Sequence, residues 1–396
     1  MIRIRRGCVL ALFLLGAGGC GGEDRPIPPL WAGPSAQSTP AEFADAYLVP
    51  TRANGSDPAW TILDTGAPFS LVAPSAFNLR TSATTSEISA LSIGSVTLWR
   101  VPVLNLVGES ELSGRPFGGI LGYTAFAPLR LSHDPRARSL GIGDVPLPPD
   151  VDPRGTSFTF TLRGGGVISD GSLRFSFPPS RIVVPAEIEG RPLRLLFDTG
   201  ASSVTLATDV FAEIVNDGRP SVETEVSTVS QSGTATVVRV RSMTVLGQTT
   251  TGTPVWSSEV IEPNLAQLEI ELGGPIDGLL GHSFFREFFT VVDYPSSRVS
   301  LHRFASTDHV LDPYRRVGFT VEQQGSGFVV GRVYAGTAAA SVVEGEEVIA
   351  IVGVPLASLG SLRAELALRG AEGSTREIQF AARTSVLPVE ELLPTP

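Results

Sequence analysis

The sequence predicts a mostly β chain made of two copies of one unit, followed by a third unit of different character. Three observations carry that expectation. Of 396 residues, 42 are Gly and 31 are Pro, a composition that favours many turns between strands. Hydrophobic residues make up 42%, enough for packed cores, and the length exceeds what one core ordinarily supports. The third observation is a repeat: "YLVPTRANGSDPAWTILDTGA" and "IVVPAEIEGRPLRLLFDTGA" each hold an apolar strand ending in Val-Pro, a turn, and a second apolar strand entering Asp-Thr-Gly-Ala.

The first element is a targeting segment. Arg3, Arg5 and Arg6 precede "VLALFLLGAG", an apolar stretch too short for a good membrane span. It ends at "AGGC", which resembles the lipobox of bacterial lipoproteins, although Ala17 stands where Leu is usual. That resemblance implies a signal peptide over 1–20, cleavage before Cys20, lipidation of its sulfur, and a protein anchored in a bacterial envelope facing the periplasm. Cys8 and Cys20 are the two cysteines, so no disulfide framework is available. Residues 21–40, rich in Gly, Pro and Ser, are expected to be a flexible tether.

The two copies are expected over 41–147 and 157–305, separated by the proline-rich "DVPLPPDVDPRG". Asn54-Gly55 and Glu189-Gly190 mark the turns inside the repeat, Asn-Gly being a strong hairpin signal. Downstream, "GGILGYTAF" and "DGLLGHSFF" repeat as well. Phe126 and Asp134 follow Gly122 at the spacing with which Phe285 and Asp293 follow Gly281. The second copy is longer, and its "SSEVIEPNLAQLEIELGG" is expected to hold a short helix.

Asp64 and Asp198 close apolar strands, where a carboxylate is costly unless it is paired or hydrogen-bonded. Two Asp-Thr-Gly-Ala motifs, each followed by two aliphatics and Gly, resemble the aspartic protease signature, and the retropepsin-like branch in particular. The resemblance implies two β-barrel lobes, each supplying one catalytic aspartate, Asp64 and Asp198, across the interface between them. Two carboxyls held that closely cannot both ionise, so they share a proton. One then takes a proton from water while the other donates to the substrate carbonyl. The resemblance also implies that Thr65 and Thr199 hydrogen-bond across the interface, while Gly66 and Gly200 let the loops turn tightly. Ser70 and Ser202 are candidates for supporting the carboxyls, against the commoner role of serine as a local turn hydrogen-bonder. In the second copy "VSTVSQSGTATVVRV" offers a flap hairpin with its tip near Gly233. The first copy's "LRTSATTSEISALSIG" has neither a glycine tip nor the flap tyrosine of pepsins.

From about residue 310 to 385 the chain resembles a bacterial-type PDZ domain. Arg316-Val317-Gly318-Phe319 matches its carboxylate-binding loop, with Glu346 in place of the usual Asp and Val342-Val343 in place of Gly-Leu. The implied partner is a C-terminal peptide added to a sheet edge and held at Val317, Gly318 and Phe319.

The reading is a monomeric aspartic endopeptidase acting on peptides or proteins, without cofactor. The four histidines, His133, His282, His302 and His309, show no metal-ligand spacing. A net charge of -10 without a basic block argues against a nucleic-acid partner. The alternative from another class is a non-catalytic envelope scaffold that binds peptides through a protease-like cleft and the C-terminal domain.

Overall fold

The computed structural model describes residues 9–10, 30–43, 47–79, 85–106, 111–112, 115–170, 173–228, 232–306, 308 and 311–396. Cys20 and the rest of the expected signal segment, apart from 9–10, lie outside them. The chain is mostly β, with 49% strand and 13% helix.

The positive backbone angles demanded at the repeat's turns are present. Asn54 and Gly55 have φ of 50° and 75°, and Glu189 and Gly190 have φ of 52° and 85°. At Glu189-Gly190 this closes a two-residue hairpin between Val183–Ile188 and Arg191–Phe197. At Asn54-Gly55 the turn is wider, and Thr51 pairs with Ala59.

Each hairpin delivers its second strand to an equivalent parallel neighbour. Ala59–Leu63 runs parallel to Arg115–Leu121, with Leu63 opposite Leu121. Arg191–Phe197 runs parallel to Gly278–Leu280, with Phe197 opposite Leu280. These strands lie in two separate sheets. A third sheet joins them, its six strands ordered Thr156–Thr159, Arg298–Arg303, Phe288–Asp293, Arg130–Asp134, Ser139–Gly143 and Ala36–Pro40. At its centre Leu131 pairs with Val292 and His133 with Thr290, so one strand from each half meets edge to edge. One continuous apolar cluster, from Val49 and Phe126 to Phe197 and Val292, fills the space beneath.

The expected tether, 21–40, is corrected over 30–40, while 21–29 lie outside the described residues. Leu30–Ala32 pairs with the strand Val96–Asn105, and Ala36–Pro40 covers the edge of Ser139–Gly143. An otherwise open sheet edge is thereby satisfied. The C-terminal boundary also moves, because Thr384–Pro388 pairs with Thr375–Phe380 and Glu390–Glu391 pairs with Arg315–Arg316.

The expected helix is found at Glu262–Leu272, with Pro263 in its first turn and Gly273 at its end in the left-handed conformation (φ 67°). The hairpin Ser221–Thr228/Ser232–Val240 lies at the expected flap position. Gly233 sits in its second strand opposite Val226, and the connecting residues 229–231 fall outside the described set. Among the described residues the first half has no counterpart. There, Thr85–Ile93 and Val96–Asn105 form one long hairpin turning at Gly94.

Candidate active site

Asp64 and Asp198 are fully buried. Each leaves the end of its strand with its N–H donated to the parallel neighbour, Asp64 to the Leu121 carbonyl (2.9 Å) and Asp198 to that of Leu280 (3.0 Å). The residue after each aliphatic-Gly segment returns the support. The Tyr123 N–H donates to the Ala67 carbonyl (3.0 Å), and the His282 N–H to the Ala201 carbonyl (2.9 Å).

The threonines lock the two loops reciprocally. The Thr65 N–H donates to Thr199 Oγ1 (3.1 Å), and the Thr199 N–H to Thr65 Oγ1 (3.0 Å). Each hydroxyl then donates across the interface, Thr65 to the Phe197 carbonyl (3.0 Å) and Thr199 to the Leu63 carbonyl (2.9 Å). Four buried hydrogen bonds thus fix one loop against the other.

The glycines set how closely the carboxyls approach. A Cβ at Gly66 would stand 2.6 Å from Asp198 Cγ, and one at Gly200 would stand 2.5 Å from Asp64 Cγ. Real Cβ atoms do not make such contacts, so each carboxyl lies over the other loop's glycine only because that residue lacks a side chain.

The electrostatics of the two carboxyls differ. Asp64 Oδ1 accepts from the Ala67 N–H (2.8 Å). Asp198 Oδ1 accepts from the N–H groups of both Gly200 (2.8 Å) and Ala201 (3.2 Å). Outside the pair itself, the two Oδ2 atoms meet no donor among the described residues. Burial pushes the Asp64 carboxyl well above the usual carboxylate range, and the charge and hydrogen bonding of Asp198 push it further. Burial also raises Asp198, but the hydrogen bond to Asp64, the Gly200 and Ala201 N–H groups and the Arg181 charge hold it back. One proton therefore stays on the pair, and Asp64 is its better holder.

Ser70 does not touch either carboxyl. Its Oγ accepts from the Gly122 N–H (3.1 Å), and its own N–H donates to Thr124 Oγ1 (2.9 Å). In the second half Val204 stands in the place of Ser70 and Ser283 in that of Thr124, the Val204 N–H donating to Ser283 Oγ (2.8 Å). Ser202 is buried, with no hydrogen bond to its hydroxyl among the described residues.

Two neighbours of the site are missed by reading the sequence alone. His282 is buried, and its Nε2 hydrogen-bonds the Thr199 carbonyl (2.8 Å). Its place directly after Leu-Leu-Gly was the available signal. Arg181 is buried with its charge acting on both aspartates, and nothing local in "PPSRIVV" announces it.

The expected peptide-binding loop at Val317, Gly318 and Phe319 is buried, and the N–H groups of Val317 and Phe319 are engaged. The Val317 N–H donates to the Leu368 carbonyl (2.9 Å) and that of Phe319 to the Val317 carbonyl (2.6 Å). Arg316 donates to the Phe319 carbonyl through Nε (3.1 Å) and Nη2 (2.6 Å). Glu365 pairs with Arg316 (2.7 Å) and accepts from the Val321 N–H (2.9 Å). A Cβ on Gly318 would collide with Thr337.

The sequence profile of the aspartyl protease family matches residues 184–284. That span includes Asp198 and the Leu-Leu-Gly segment and excludes Asp64. The match supports a peptidase at the level of the family. No curated protein matches the chain.

Proposed function

We propose that the chain is a bilobal aspartic endopeptidase in which residues 41–147 and 157–305 are duplicated lobes, each giving one carboxyl to a single site. The observation that carries the reading is the reciprocal packing of the Asp64 and Asp198 loops. Each carboxyl lies over the other loop's glycine, and each threonine donates to the other strand's last carbonyl. A lone buried aspartate needs none of this symmetry.

The chemistry follows from the unequal hydrogen bonding. Asp198, with two N–H donors, is the carboxylate that takes a proton from the attacking water. Asp64 holds the shared proton and donates to the substrate carbonyl as the tetrahedral intermediate forms. Return of that proton to the pair and protonation of the leaving amine restore the starting state. We assign the covering of a bound peptide strand to the hairpin of Ser221–Thr228 and Ser232–Val240, from its position in the sequence between the aspartate loop and Leu-Leu-Gly.

Export and anchoring through a lipid on Cys20 belong to the same proposal, resting on "AGGC" after a short apolar run. Cys20→Ser would release the protein from membranes, and an unmodified mature N-terminus elsewhere would contradict it. For the C-terminal domain we propose weak peptide capture, on the order of micromolar, because a ligand must first open the Arg316–Glu365 contacts. Titration of the full chain with C-terminal peptides tests this, and Glu365→Ala is expected to bind more tightly than wild type.

The experiment for the main reading is incubation of the full chain with a diverse peptide pool, with and without a pepstatin-type inhibitor. Inhibitor-sensitive internal cleavage is expected. No cleavage, together with saturable peptide binding, would favour the non-catalytic scaffold.

A further inference from the structure

Arg181 is a buried cation whose donors are not all used. Its Nη2 donates to Glu271 Oε2 (3.0 Å), on the last turn of the helix Glu262–Leu272. Its Nε and Nη1 are buried and meet no acceptor among the described residues. A buried guanidinium with unmet N–H groups is costly, more so than a neutral donor. Groups kept in that state are candidates for ligand contact.

Strand register says where the side chain points. Val183 pairs with Leu196, and the Ile182 carbonyl accepts from the Phe197 N–H (2.9 Å). One further step sets Arg181 opposite Asp198, and opposed residues of antiparallel strands share a face. Arg181 thus stands on the face that carries the catalytic carboxyl, which agrees with its charge acting on both aspartates. An antiparallel bridge then pairs Arg181 with Arg163, through N–H···O bonds of 2.8 and 3.0 Å. Arg163 is therefore on the same face. It is exposed and forms no ion pair among the described residues. Two cations, one exposed and one buried, thus stand side by side on this face, and Glu271 answers one of them.

We infer that Arg181, with Arg163 at the mouth, forms a subsite for a substrate carboxylate, so that the enzyme prefers peptides bearing an acidic group at one fixed position beside the cleaved bond. This rests on the peptidase reading and adds its substrate class. A neutral carbonyl would also meet an open N–H, but a carboxylate makes the stronger charge-assisted bond and suits both cations. The carboxylate belongs either to a Glu or Asp side chain or to a peptide's own C-terminus, and these differ in whether cleavage is internal.

The test uses the full chain and amidated peptides in which each position flanking the cleaved bond is Glu or Gln in turn. A second set carries its only carboxylate at the C-terminus. At one position the Glu peptide is expected to exceed the Gln peptide in kcat/KM by roughly 10- to 100-fold, mainly through KM. In the double variant Arg181→Met/Glu271→Gln, which leaves no unpaired buried charge, the ratio is expected to fall to near one. The exposed Arg163→Gln, which carries little folding risk, is expected to reduce it severalfold. Preference for the second set alone would assign the subsite to terminal carboxylates.

Binding of the same peptides to Asp64→Asn, followed by fluorescence anisotropy, separates this inference from the one beneath it. Acid-selective binding that depends on Arg181, without hydrolysis by wild type, would sink the peptidase reading and keep the subsite. Hydrolysis with no Glu/Gln preference, or with a preference untouched by the Arg181 and Arg163 variants, overturns the subsite. Neither hydrolysis nor acid-selective binding overturns both.

Discussion

The site is decided by four small residues around two carboxyls. Gly66→Ala and Gly200→Ala would each push a methyl into the opposite carboxyl. Each is expected to abolish peptide cleavage and to cost roughly 1–3 kcal/mol of stability, as overpacking does, checked by kcat/KM and thermal melts. Thr65→Val leaves the Phe197 carbonyl and the Thr199 N–H without partners, and Thr199→Val does the same to Leu63 and Thr65. Each should cost about 2–6 kcal/mol, from two buried groups at about 1–3 apiece. The double variant should lose less than the sum, because the four bonds form one unit. Denaturant unfolding of the three variants tests that coupling. Asp64 and Asp198 were legible in the sequence because a charged residue at the end of an apolar strand is anomalous and the anomaly occurs twice. Arg181 was not legible, since its position arises from register across a hairpin and a bridge to Arg163 that no local pattern encodes.

At the scale of elements, the supports behind the loops carry a pH dependence. Burial holds the His133 imidazole down to about 3, with the nearby His282 adding to the effect. Burial likewise lowers His282 to about 4, against its hydrogen bond to Thr199. Both fall below the unfolded value near ~6.5. The unfolded chain thus binds more protons below that pH, and the stability of the neutral imidazoles is lost as pH falls toward about 4. Asp64 acts with the opposite sign, since its raised folded value disfavours folding above pH ~4 and the penalty is relieved in acid. A difference measurement separates them. Between about pH 7 and pH 4.5, His282→Gln should lose roughly 2–3 kcal/mol less stability than wild type. Gln retains an N–H for the Thr199 carbonyl, so its activity at neutral pH should exceed that of His282→Ala. Equal acid losses in wild type and His282→Gln would contradict the assignment. The turns, the helix and the flap-position hairpin were readable from local chemistry. The joining sheet was not, because the pairing of Arg130–Asp134 with Phe288–Asp293 depends on two distant segments.

The whole molecule is held by more than its central sheet. Arg239, on the second strand of the 221–240 hairpin, is buried and donates to Asp312 (2.9 Å), Glu391 (2.8 Å) and the Gly252 carbonyl (2.7 Å). Tyr314 and Leu393 pack with Val226, Ala235 and Val237 of the same hairpin. Arg332 adds a bond to the Glu223 carbonyl (2.6 Å). The C-terminal segment is therefore docked against this hairpin. Arg239→Met would take one of two cations from Asp312 and from Glu391, which keep Arg286 (3.2 Å) and Arg315 (2.7 Å), and is expected to cost about 1–3 kcal/mol and to raise KM by loosening that hairpin, as melts and steady-state kinetics would show. Burial opposes the charge on Asp312, yet Arg286 and Arg239 hold it down at about 2. Its contribution is thus present above pH ~4 and lost as pH falls toward about 2. The claim that unites these scales is that one carboxyl from each half makes a single catalytic pair. Its most direct measurement is peptide cleavage by Asp64→Asn, Asp198→Asn and the double variant, each confirmed folded by its melt. The account predicts that either single change abolishes hydrolysis and that the double loses nothing further, because the pair acts as one unit. A folded single variant that cleaves at a rate comparable to wild type would contradict it.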